Sequence, residues 1–437
     1  MNNKLFLSDN LSGQKRCFEP CRYDRITIYA CGPTVYKVPH LGNFRSFTIF
    51  DTLYRFLTYL YPNVIYVRNI TDIDDKIIDQ ARAQNIDPKL LTNSVIESFS
   101  MYCEKLNLLP PTFEPKVTDF MNEIIADIQT LIINGFAYEK SHHVMFDTTK
   151  YDDYRKFCKD MNTCTGARVE VSVLKNNEND FVLWKPADDF GWDSPWGYGR
   201  PGWHIECTSM SRKILGFPFD IHCGGQDLIF PHHTNERAQG WGLCKTECAN
   251  YWIHNNFVNI DGEKISKSLG NSFDLEELFL DYNPMVVRLF LLSANYKHPL
   301  HFSSYAMKNA ENLYNKWHRK CHHYNIIGCG RPLQSVVDAL SDDLNTPLAI
   351  TRITEAINDQ DNINSQIDVE EILASLDLLG IKFYDHEIDK EINDLINKRE
   401  IARQNKDYVQ ADEIRDVLLS RNIVLEDTKL GVKWYKK

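Results

Sequence analysis

The sequence predicts an α/β fold built on a parallel sheet, and three neighbouring stretches support this prediction. Residues 25–30 (RITIYA) alternate as a strand does, and residues 44–60 carry aromatic and aliphatic side chains at helical spacing. A second apolar stretch, NVIYVRNI at 63–70, has the length of a buried strand. A strand, a helix and a strand in this order form a β-α-β unit, whose parallel strands bind ligands at their carboxyl ends.

The sheet is expected to be interrupted and then resumed. A proline-marked stretch, LLPPTFEP at 108–115, predicts the start of an insertion that runs to GWDSPWGYGRPGW at 191–203. DIHCGG at 220–225 then resembles a strand, and HHTNERAQGW at 232–241 resembles a helix. From about Asp274 the chain is mainly helical. We predict five segments: residues 1–110 and 201–300 as the two halves of the sheet domain, 111–200 as the insertion, 301–390 as a helical bundle and 391–437 as a small C-terminal domain.

The composition is that of a soluble globular protein, with 43% hydrophobic and 25% charged residues among 437. A net charge of -11 argues against general adhesion to nucleic acid, although it leaves room for a local basic surface. Such a surface is indicated at the C-terminus, because Asn397 to Lys437 carry ten basic and seven acidic residues. No stretch resembles a signal peptide or a membrane span, so we expect a cytoplasmic protein whose twelve cysteines are reduced, some of them as metal ligands.

Two short motifs, HLGN at His40–Asn43 and KISKS at Lys264–Ser268, each follow a predicted strand. A glycine at Gly42 lets a nucleotide approach the backbone, and His40 could donate to phosphate oxygens at a helix N-terminus. The lysine-serine loop suits a clamp over a triphosphate. Alone, HLGN is more often a structural histidine and KISKS an exposed basic turn. Chance is a poor explanation for the two together.

These two motifs resemble the signature sequences of class I aminoacyl-tRNA synthetases, and longer phrases resemble the cysteinyl-tRNA synthetase family in particular. The phrases are CGPTVY (31–36), VRNITDIDDKI (67–77), DFVLWK (180–185), GRPGWHIECT (199–208), FPHHTNE (230–236), KISKSLGN (264–271), DDLNTP (342–347), KDYVQADEIRD (406–416) and EDTKLGVKW (426–434). The resemblance covers almost the whole chain. It implies a Rossmann-type catalytic domain with an insertion, an α-helical bundle and a C-terminal anticodon-binding domain.

The sequence departs from the family pattern at three positions. Cys223 replaces a glycine in HCGG, and Ile265 stands where methionine is usual. Asn43 replaces the last histidine of the first signature, so this position can donate a hydrogen bond but cannot carry a proton. That change argues against an acid role at Asn43 and leaves His40 as the better-supported phosphate donor.

The resemblance implies a site for one Zn²⁺ per chain, formed by Cys31, Cys207, His232 and Glu236. The residue types agree with this, since two thiolates, an imidazole and a carboxylate suit tetrahedral zinc. His232 and Glu236 are also four residues apart, which places them on one helical face. Spacing alone leaves alternatives open, because four more side chains in the same stretches offer ligand atoms: Cys223, His204, His222 and His233.

The resemblance also implies roles for other residues. The catalytic groups are His40, Lys264 and Lys267. ATP, with Mg²⁺, is expected to contact His40, Gly42, Asn43, Gly225, Asp227 and Lys267. The amino acid is expected to contact Gly32, Thr71, Trp203 and Asp227. For Trp203, a place in the core is an equally good reading of the sequence.

The expected activity is ATP-driven ligation of L-cysteine to tRNA(Cys) through a cysteinyl-adenylate, by a monomer with no membrane partner. Basic and aromatic residues near the C-terminus are expected to contact the anticodon, although Trp434 could instead lie in a core: Lys429, Lys433, Trp434, Lys436 and Lys437. Two alternatives remain open. One is a cysteine ligase that acts on an amino sugar, which would lack this tail; the other is a non-catalytic RNA-binding relative, which would have lost HLGN or KISKS.

Overall fold

The computed structural model describes residues 4–157, 174–260, 263–264, 275–321, 330–359, 369–383, 395–396, 398–399, 401–403, 407–421, 423–428 and 431–436. At 263–264, 426–428 and 431–436 only the backbone is described. Within these ranges, no helix is both long and apolar enough to cross a membrane.

The centre of the fold is a four-stranded parallel sheet. Its strands are β3 (Ile26–Ala30), β4 (Val64–Arg68), β9 (Phe219–Gly225) and β10 (Ala249–Asn255), in the order β10-β9-β3-β4. The strands predicted at 25–30, 63–70 and 220–225 are therefore confirmed to within two residues. Because β3 pairs with β4 on one side and β9 on the other, the strand order reverses between β3 and β9. In open parallel sheets, ligands bind at the carboxyl ends beside such a reversal.

The predicted helix after β3 is α1, which spans Leu41–Leu60. Its aromatic and aliphatic side chains at Phe44, Phe47, Phe50 and Leu53 are buried, as the helical spacing requires. The other helices up to residue 292 are α2 (Asp75–Gln84), α3 (Pro88–Lys105), α4 (Met121–Ile133), α5 (Trp203–Leu215), α6 (Thr234–Cys244), α7 (Leu275–Asp281) and α8 (Pro284–Leu292).

An antiparallel sheet occupies the part of the chain in which the insertion is predicted. It consists of β5 (Ala137–Lys140), β6 (His143–Phe146), β7 (Phe181–Pro186) and β8 (Gly199–Pro201), paired in chain order. Trp184 on β7 is fully buried in the core that this sheet shares with α4, α5 and α6. The insertion is thereby packed against the helices that follow it in the chain.

Two smaller sheets lie at the margins of the parallel sheet. Strands β1 (Phe6–Asp9) and β2 (Gln14–Cys17) form an antiparallel hairpin. Strand β11 (Val258–Ile260) pairs antiparallel with β12 (Glu263–Lys264) and parallel with β13 (Leu300–Phe302). The KISKS motif begins at Lys264 on β12, so the β11–β12 hairpin determines where the motif starts in the structure.

The second half of the chain is helical, as predicted. Its helices are α9 (Ser304–Cys321), α10 (Gln334–Ser341), α11 (Thr346–Asp359), α12 (Val369–Leu378) and α13 (Tyr408–Ser420). The chain divides into two compact units, one of residues 1–314 with 328–381 and one of 315–327 with 382–437. In the second unit, α13 and the hairpin of β14 (Ile423–Thr428) and β15 (Gly431–Lys436) surround a small core that contains Leu418, Ile423 and Leu425. The predicted boundaries at 301, 391 and within the sheet domain stay predictions.

The DDLNTP motif forms a turn whose buried carboxylate joins distant parts of the first unit. Asp343 has a left-handed backbone with φ of 61°. Its carboxylate accepts hydrogen bonds from Ser8 N at 2.7 Å, from Ser8 Oγ at 2.6 Å and from Tyr296 Oη at 2.7 Å, and it pairs with Lys297. The preceding residue, Asp342, has a side chain 57% exposed that pairs with the exposed Lys15.

We predict that Asp343→Ala lowers the free energy of unfolding by about 3 kcal/mol, because it removes the acceptor of the buried Tyr296 hydroxyl and of both Ser8 donors. The matched variant Asp342→Ala should change it by less than about 1 kcal/mol, as exposed ion pairs usually do. Urea unfolding followed by circular dichroism measures both values. Equal losses in the two variants would contradict the assignment of Asp343 as the linking residue.

Candidate active site

A cavity of about 460 Å³ opens at the carboxyl ends of β3 and β9, where the strand order reverses. Seven residues that the sequence predicts for the site line it: Cys31, Gly32, His40, Gly42, Asn43, Gly225 and Asp227. Asn256, Phe257 and Val258, at the start of the β11–β12 hairpin, form another part of its wall. The structure thus brings the HLGN helix and the base of the KISKS hairpin to one cavity.

Two lysines at this cavity were missed by the sequence reasoning. Lys37 and Lys76 are exposed side chains that line it, and the Lys76 ammonium lies 5.5 Å from the centre of the Tyr36 ring. Lys76 belongs to the phrase VRNITDIDDKI, which carried the resemblance, so a signal was present. The wall therefore supplies positive charge besides that of the two motifs.

The HLGN motif forms the N-terminus of α1 through a reciprocal pair of hydrogen bonds. Asn43 N donates to His40 Nδ1 at 3.3 Å, and His40 N donates to Asn43 Oδ1 at 3.1 Å. This capping box satisfies two N–H groups that a helix end otherwise leaves unpaired. Since Nδ1 accepts, the proton of a neutral His40 ring resides on Nε2. Asn43 thus has a structural role, and this role does not require a side chain that carries a proton.

The loop after β3 passes so close to β4 that only glycine fits at position 32. A Cβ on Gly32 would lie 1.6 Å from the carbonyl oxygen of Asn69. Gly32 N donates to Asn69 Oδ1 at 2.9 Å, and the same oxygen lies 3.7 Å from Cys207 Sγ. Asn69 therefore ties the ends of β3 and β4 to helix α5.

Four potential metal ligands meet beside this loop. Donor atoms of Cys31, Cys207, His232 and Glu236 all lie within 4.8 Å of one another. Glu236 Oε1 is 3.1 Å from His232 Nε2 and 3.8 Å from Cys31 Sγ, and the two sulfurs are 3.9 Å apart. Cys207 and Glu236 are almost completely buried, at 2% and 1% exposure. Cys31 directly follows β3, Cys207 lies on α5, His232 lies in the turn before α6 and Glu236 lies in the first turn of α6, so the four are separated by up to 205 positions.

The two thiols differ in acidity because they share a proton. Cys31 donates to Cys207, and this hydrogen bond lowers the pKa of Cys207 to about 6. Burial raises the pKa of Cys31 well above its usual value. The pair therefore offers one thiolate near neutral pH even before a cation is considered, and a thiolate is the form that binds metals.

A second set of donors overlaps the first. Cys31, His222, His233 and Glu236 also place their ligand atoms within 4.8 Å of one another. His222 Nε2 lies 2.9 Å from Glu236 Oε2, and His233 Nε2 lies 3.3 Å from Cys31 Sγ. His222 and His233 were among the alternatives that spacing left open, and geometry alone keeps them in competition.

The other two alternative ligands, His204 and Cys223, lie outside both sets. His204 Nδ1 lies 2.9 Å from His232 Nδ1, which orients the His232 ring with Nε2 toward Glu236. Cys223 is fully buried in the core and belongs to neither set of candidate ligands found in the described part of the chain. Burial raises the pKa of its thiol. Cys223 thus fills core volume beside the cluster without belonging to it.

Thr71 and Trp203, which are predicted to hold the amino acid, lie next to the four potential metal ligands. Thr71 Oγ1 donates to Glu206 Oε2 at 3.4 Å and accepts from Asn69 Nδ2 at 3.2 Å. Burial raises the pKa of Glu206 well above its usual range. The Trp203 ring is half-buried and packs on the His232 ring, with centres 4.2 Å apart. Trp203 is therefore a neighbour of the cluster and is not fully enclosed in the core.

The predicted lysines of the KISKS motif are only partly within the described residues. Lys264 lies on β12, where its backbone pairs with Asn259, and Lys267 lies outside the described residues. Of the predicted anticodon contacts, the backbones of Lys433, Trp434 and Lys436 form part of β15, which pairs with β14. Lys429 and Lys437 lie outside the described residues.

Comparison with known proteins places these observations in a family. Residues 17–312 match the family model described as the class I (C) tRNA synthetase catalytic domain, and residues 385–434 match that of the cysteinyl-tRNA ligase anticodon-binding domain. A cysteine–tRNA ligase from Exiguobacterium sp. is 41% identical over 98% of this chain and 99% of its own length. The corresponding ligase from Ehrlichia canis is 41% identical over 99% of this chain and 100% of its own length.

Solved structures add support at the level of the fold. A methionyl-tRNA synthetase from Mycobacterium tuberculosis, solved with methionyl-adenylate, has a TM-score of 0.61 over 85% of this chain and 94% of that chain. Its sequence identity is 16%, so the similarity concerns the fold alone.

We predict that Gly32→Ala lowers the free energy of unfolding by about 3 kcal/mol, because the new methyl group must displace Asn69 or the loop itself. Gly42→Ala is the matched control. Its Cβ would meet only the His40 ring, at 3.0 Å, and alanine favours a helix over glycine by about 1 kcal/mol. Thermal unfolding of both variants measures the contrast, and equal stabilities would show that the loop after β3 adapts freely.

Proposed function

The chain belongs to the cysteine–tRNA ligase family of class I aminoacyl-tRNA synthetases, and from this premise we propose how its residues divide the work of the reaction. The protein is an enzyme that uses ATP to ligate cysteine to tRNA. The observation that carries this conclusion is the similarity at about 40% identity over nearly the full length of each relative. The match of residues 385–434 to the anticodon-binding domain argues against the alternative function, a cysteine ligase that acts on an amino sugar, because that ligase would lack this domain.

ATP is proposed to bind with its phosphates at the N-terminus of α1. The first turn of this twenty-residue helix contains no acidic side chain, so its partial positive charge is not offset. His40 Nε2–H is proposed to donate to a phosphate oxygen, and Gly42 and Gly225 leave room for the nucleotide near the backbone. Asn43 supports this indirectly, because its capping box holds the His40 ring in place.

Activation requires the cysteine carboxylate to attack the α-phosphorus while charge develops on the phosphate oxygens. Lys267 is proposed to meet that charge, with Lys264 assisting from the same hairpin. Donors of this kind act mainly in the transition state, so they accelerate the step more than they tighten binding. Mg²⁺ is proposed to accompany ATP. Asp227, an exposed carboxylate on the cavity wall, suits the ribose hydroxyls or the ammonium group of cysteine.

We propose that Cys31, Cys207, His232 and Glu236 hold one Zn²⁺ and that cysteine binds beside it. The donor set fits the ion, since two thiols, an imidazole and a carboxylate are ligands that zinc prefers. Burial also fits, because three acidic groups enclosed at 4.8 Å or less need a cation to be stable when ionised. In such a site, bound zinc supplies a soft centre that prefers a thiolate sulfur to a hydroxyl oxygen. Gly32, Thr71 and Trp203 are proposed to hold the rest of the amino acid.

Hydrogen bonding favours this ligand set over the one that contains His222 and His233. Glu236 Oε2 is engaged by His222, which leaves Oε1 directed toward Cys31 and His232. In metal sites, such outer partners orient the ligands without binding the ion. The contact between His233 Nδ1 and His254 Nε2, at 2.7 Å, does not distinguish the two sets, because it leaves His233 Nε2 facing Cys31 Sγ.

We predict about one zinc per chain in the purified protein and a large loss of zinc in Cys207→Ser, which removes a thiolate ligand. Cys223→Ala is the matched control, because Cys223 is a buried cysteine on the neighbouring strand end and should leave the content unchanged. Elemental analysis after dialysis measures the content.

His233→Gln decides between the two ligand sets. It should retain zinc, although loss of an outer partner can weaken affinity by about ten- to a hundredfold. If His233→Gln empties the site while Cys207→Ser keeps its metal, the second set holds the ion and our assignment is wrong.

For transfer, we propose that the C-terminal unit binds the anticodon of tRNA(Cys) through one aromatic and four basic residues near the C-terminus, namely Trp434 with Lys429, Lys433, Lys436 and Lys437. Lysines there can neutralise phosphates, and Trp434 can stack on an unpaired base. We further propose that the working enzyme is a monomer in the cytoplasm.

The test of this function is to measure both half-reactions in the full chain and in a chain that ends at residue 390. The full chain should catalyse ATP–pyrophosphate exchange that depends on L-cysteine, and should charge tRNA(Cys). The shorter chain should retain exchange, because adenylate formation needs only the cavity and the cluster. It should lose most of the transfer, since the tRNA is no longer held at its anticodon end.

Three outcomes would count against parts of the proposal. Exchange that does not respond to L-cysteine in the full chain would contradict the enzymatic function. Transfer that survives truncation would contradict the anticodon assignment. Parallel loss of both activities with loss of folded structure would show that the tail is needed for stability instead.

A further inference from the structure

Arg45 is a fully buried arginine on the first turns of α1, two residues after the HLGN motif. Within the described part of the chain, its two terminal nitrogens donate only to backbone carbonyl oxygens. One terminal nitrogen donates to Asn256 O at 2.9 Å and to Phe257 O at 2.6 Å. The other donates to Asn295 O at 3.2 Å and to His298 O at 2.7 Å. A single guanidinium thus joins α1 to two separate loops.

This arrangement is unusual for a buried charge, because the described residues include no acid within ion-pair distance of Arg45. Burial lowers the pKa of its guanidinium to about 10, so the group remains charged at neutral pH. A cation buried without a counter-ion is costly unless several dipoles solvate it. Four carbonyl dipoles do so here, and they must keep their positions for the arrangement to be stable.

One of the two loops that Arg45 joins forms the base of the KISKS hairpin, and the other leads into the strand beside it. Asn256 and Phe257 precede β11, and residues 295–298 precede β13, which pairs with β11 in parallel. Asn256, Phe257 and Val258 also line the cavity that Gly42 and Asn43 line. The guanidinium therefore spans from the helix that forms one cavity wall to the segment that forms another.

We propose that Arg45 is a positioning residue that sets the separation between the two nucleotide-binding walls of the cavity. Its planar fork, with two donors on each side, fixes both loops relative to the start of α1. An ammonium group could keep the charge but could not reproduce this geometry. The proposal rests on the proposed function, since it assumes that ATP occupies this cavity.

The test compares Arg45→Lys with the wild type in cysteine-dependent pyrophosphate exchange. Single-turnover formation of adenylate counts the active sites, and each rate is expressed per active site. We expect KM for ATP to rise and kcat to fall, with kcat/KM lower by about a hundredfold, as a displacement of about 1 Å can cause. KM for cysteine should change by less than about twofold, because the cysteine side of the site is formed by other elements.

Arg288→Lys is the matched control. Arg288 is also fully buried, and it donates to the carbonyls of Leu106 and Leu379 and to Asp51, away from the cavity. Its replacement should lower stability but leave KM for ATP as in the wild type. If Arg45→Lys does not yield folded protein, Arg45→Gln, which keeps two N–H donors and buries no charge, takes its place.

The result that would overturn the proposal is an Arg45 variant whose active sites have the wild-type KM for ATP and kcat, since Arg45 would then only stabilise the fold. Equal changes in the Arg45 and Arg288 variants would overturn it as well. Wild-type protein that shows no cysteine-dependent exchange would instead refute the proposed function, so the two failures are distinguishable.

Discussion

The constraint on which the site depends is the close packing of the half-buried Cys31 against Cys207 and Glu236, which are almost completely buried. Three acidic groups this close together cannot all ionise unless a cation or several donors compensate them. The structure relieves part of the cost by sharing a proton between the thiols and by holding Glu236 Oε2 with His222. The Zn²⁺ that we propose would compensate the rest, and metal binding and stability of the site would then be coupled.

The position of this cluster follows from the sheet. Cys31 ends the strand at which the order reverses, and the loop beyond it leads directly to His40 and α1. The sites that we propose for the cysteine sulfur and for the ATP phosphates are therefore close together in the chain, separated by the loop that contains Gly32. Gly32 packs so closely against Asn69 that no side chain fits between them, and this contact fixes the path of the loop between Cys31 and His40.

The sequence predicted what depends on local pattern and missed what depends on contacts between distant residues. The β-α-β unit was predicted because periodic apolar positions encode burial directly. His232 and Glu236 were placed together because four residues make one helical turn. The choice between His232 and His233 could not be made, since it depends on partners at His204, His222 and His254 in other elements. Arg45 and Asp343 were missed for the same reason, because Arg45 contacts a loop 253 residues away in the chain and Asp343 contacts Ser8, 335 residues away.

The central claim is that the buried cluster selects cysteine by its sulfur. A pocket that distinguished cysteine from serine by shape alone would discriminate by about ten- to two-hundredfold. The most direct measurement is therefore the ratio of kcat/KM for L-cysteine to that for L-serine in pyrophosphate exchange. The account predicts a ratio far above this range. A ratio within it would contradict selection by the cluster.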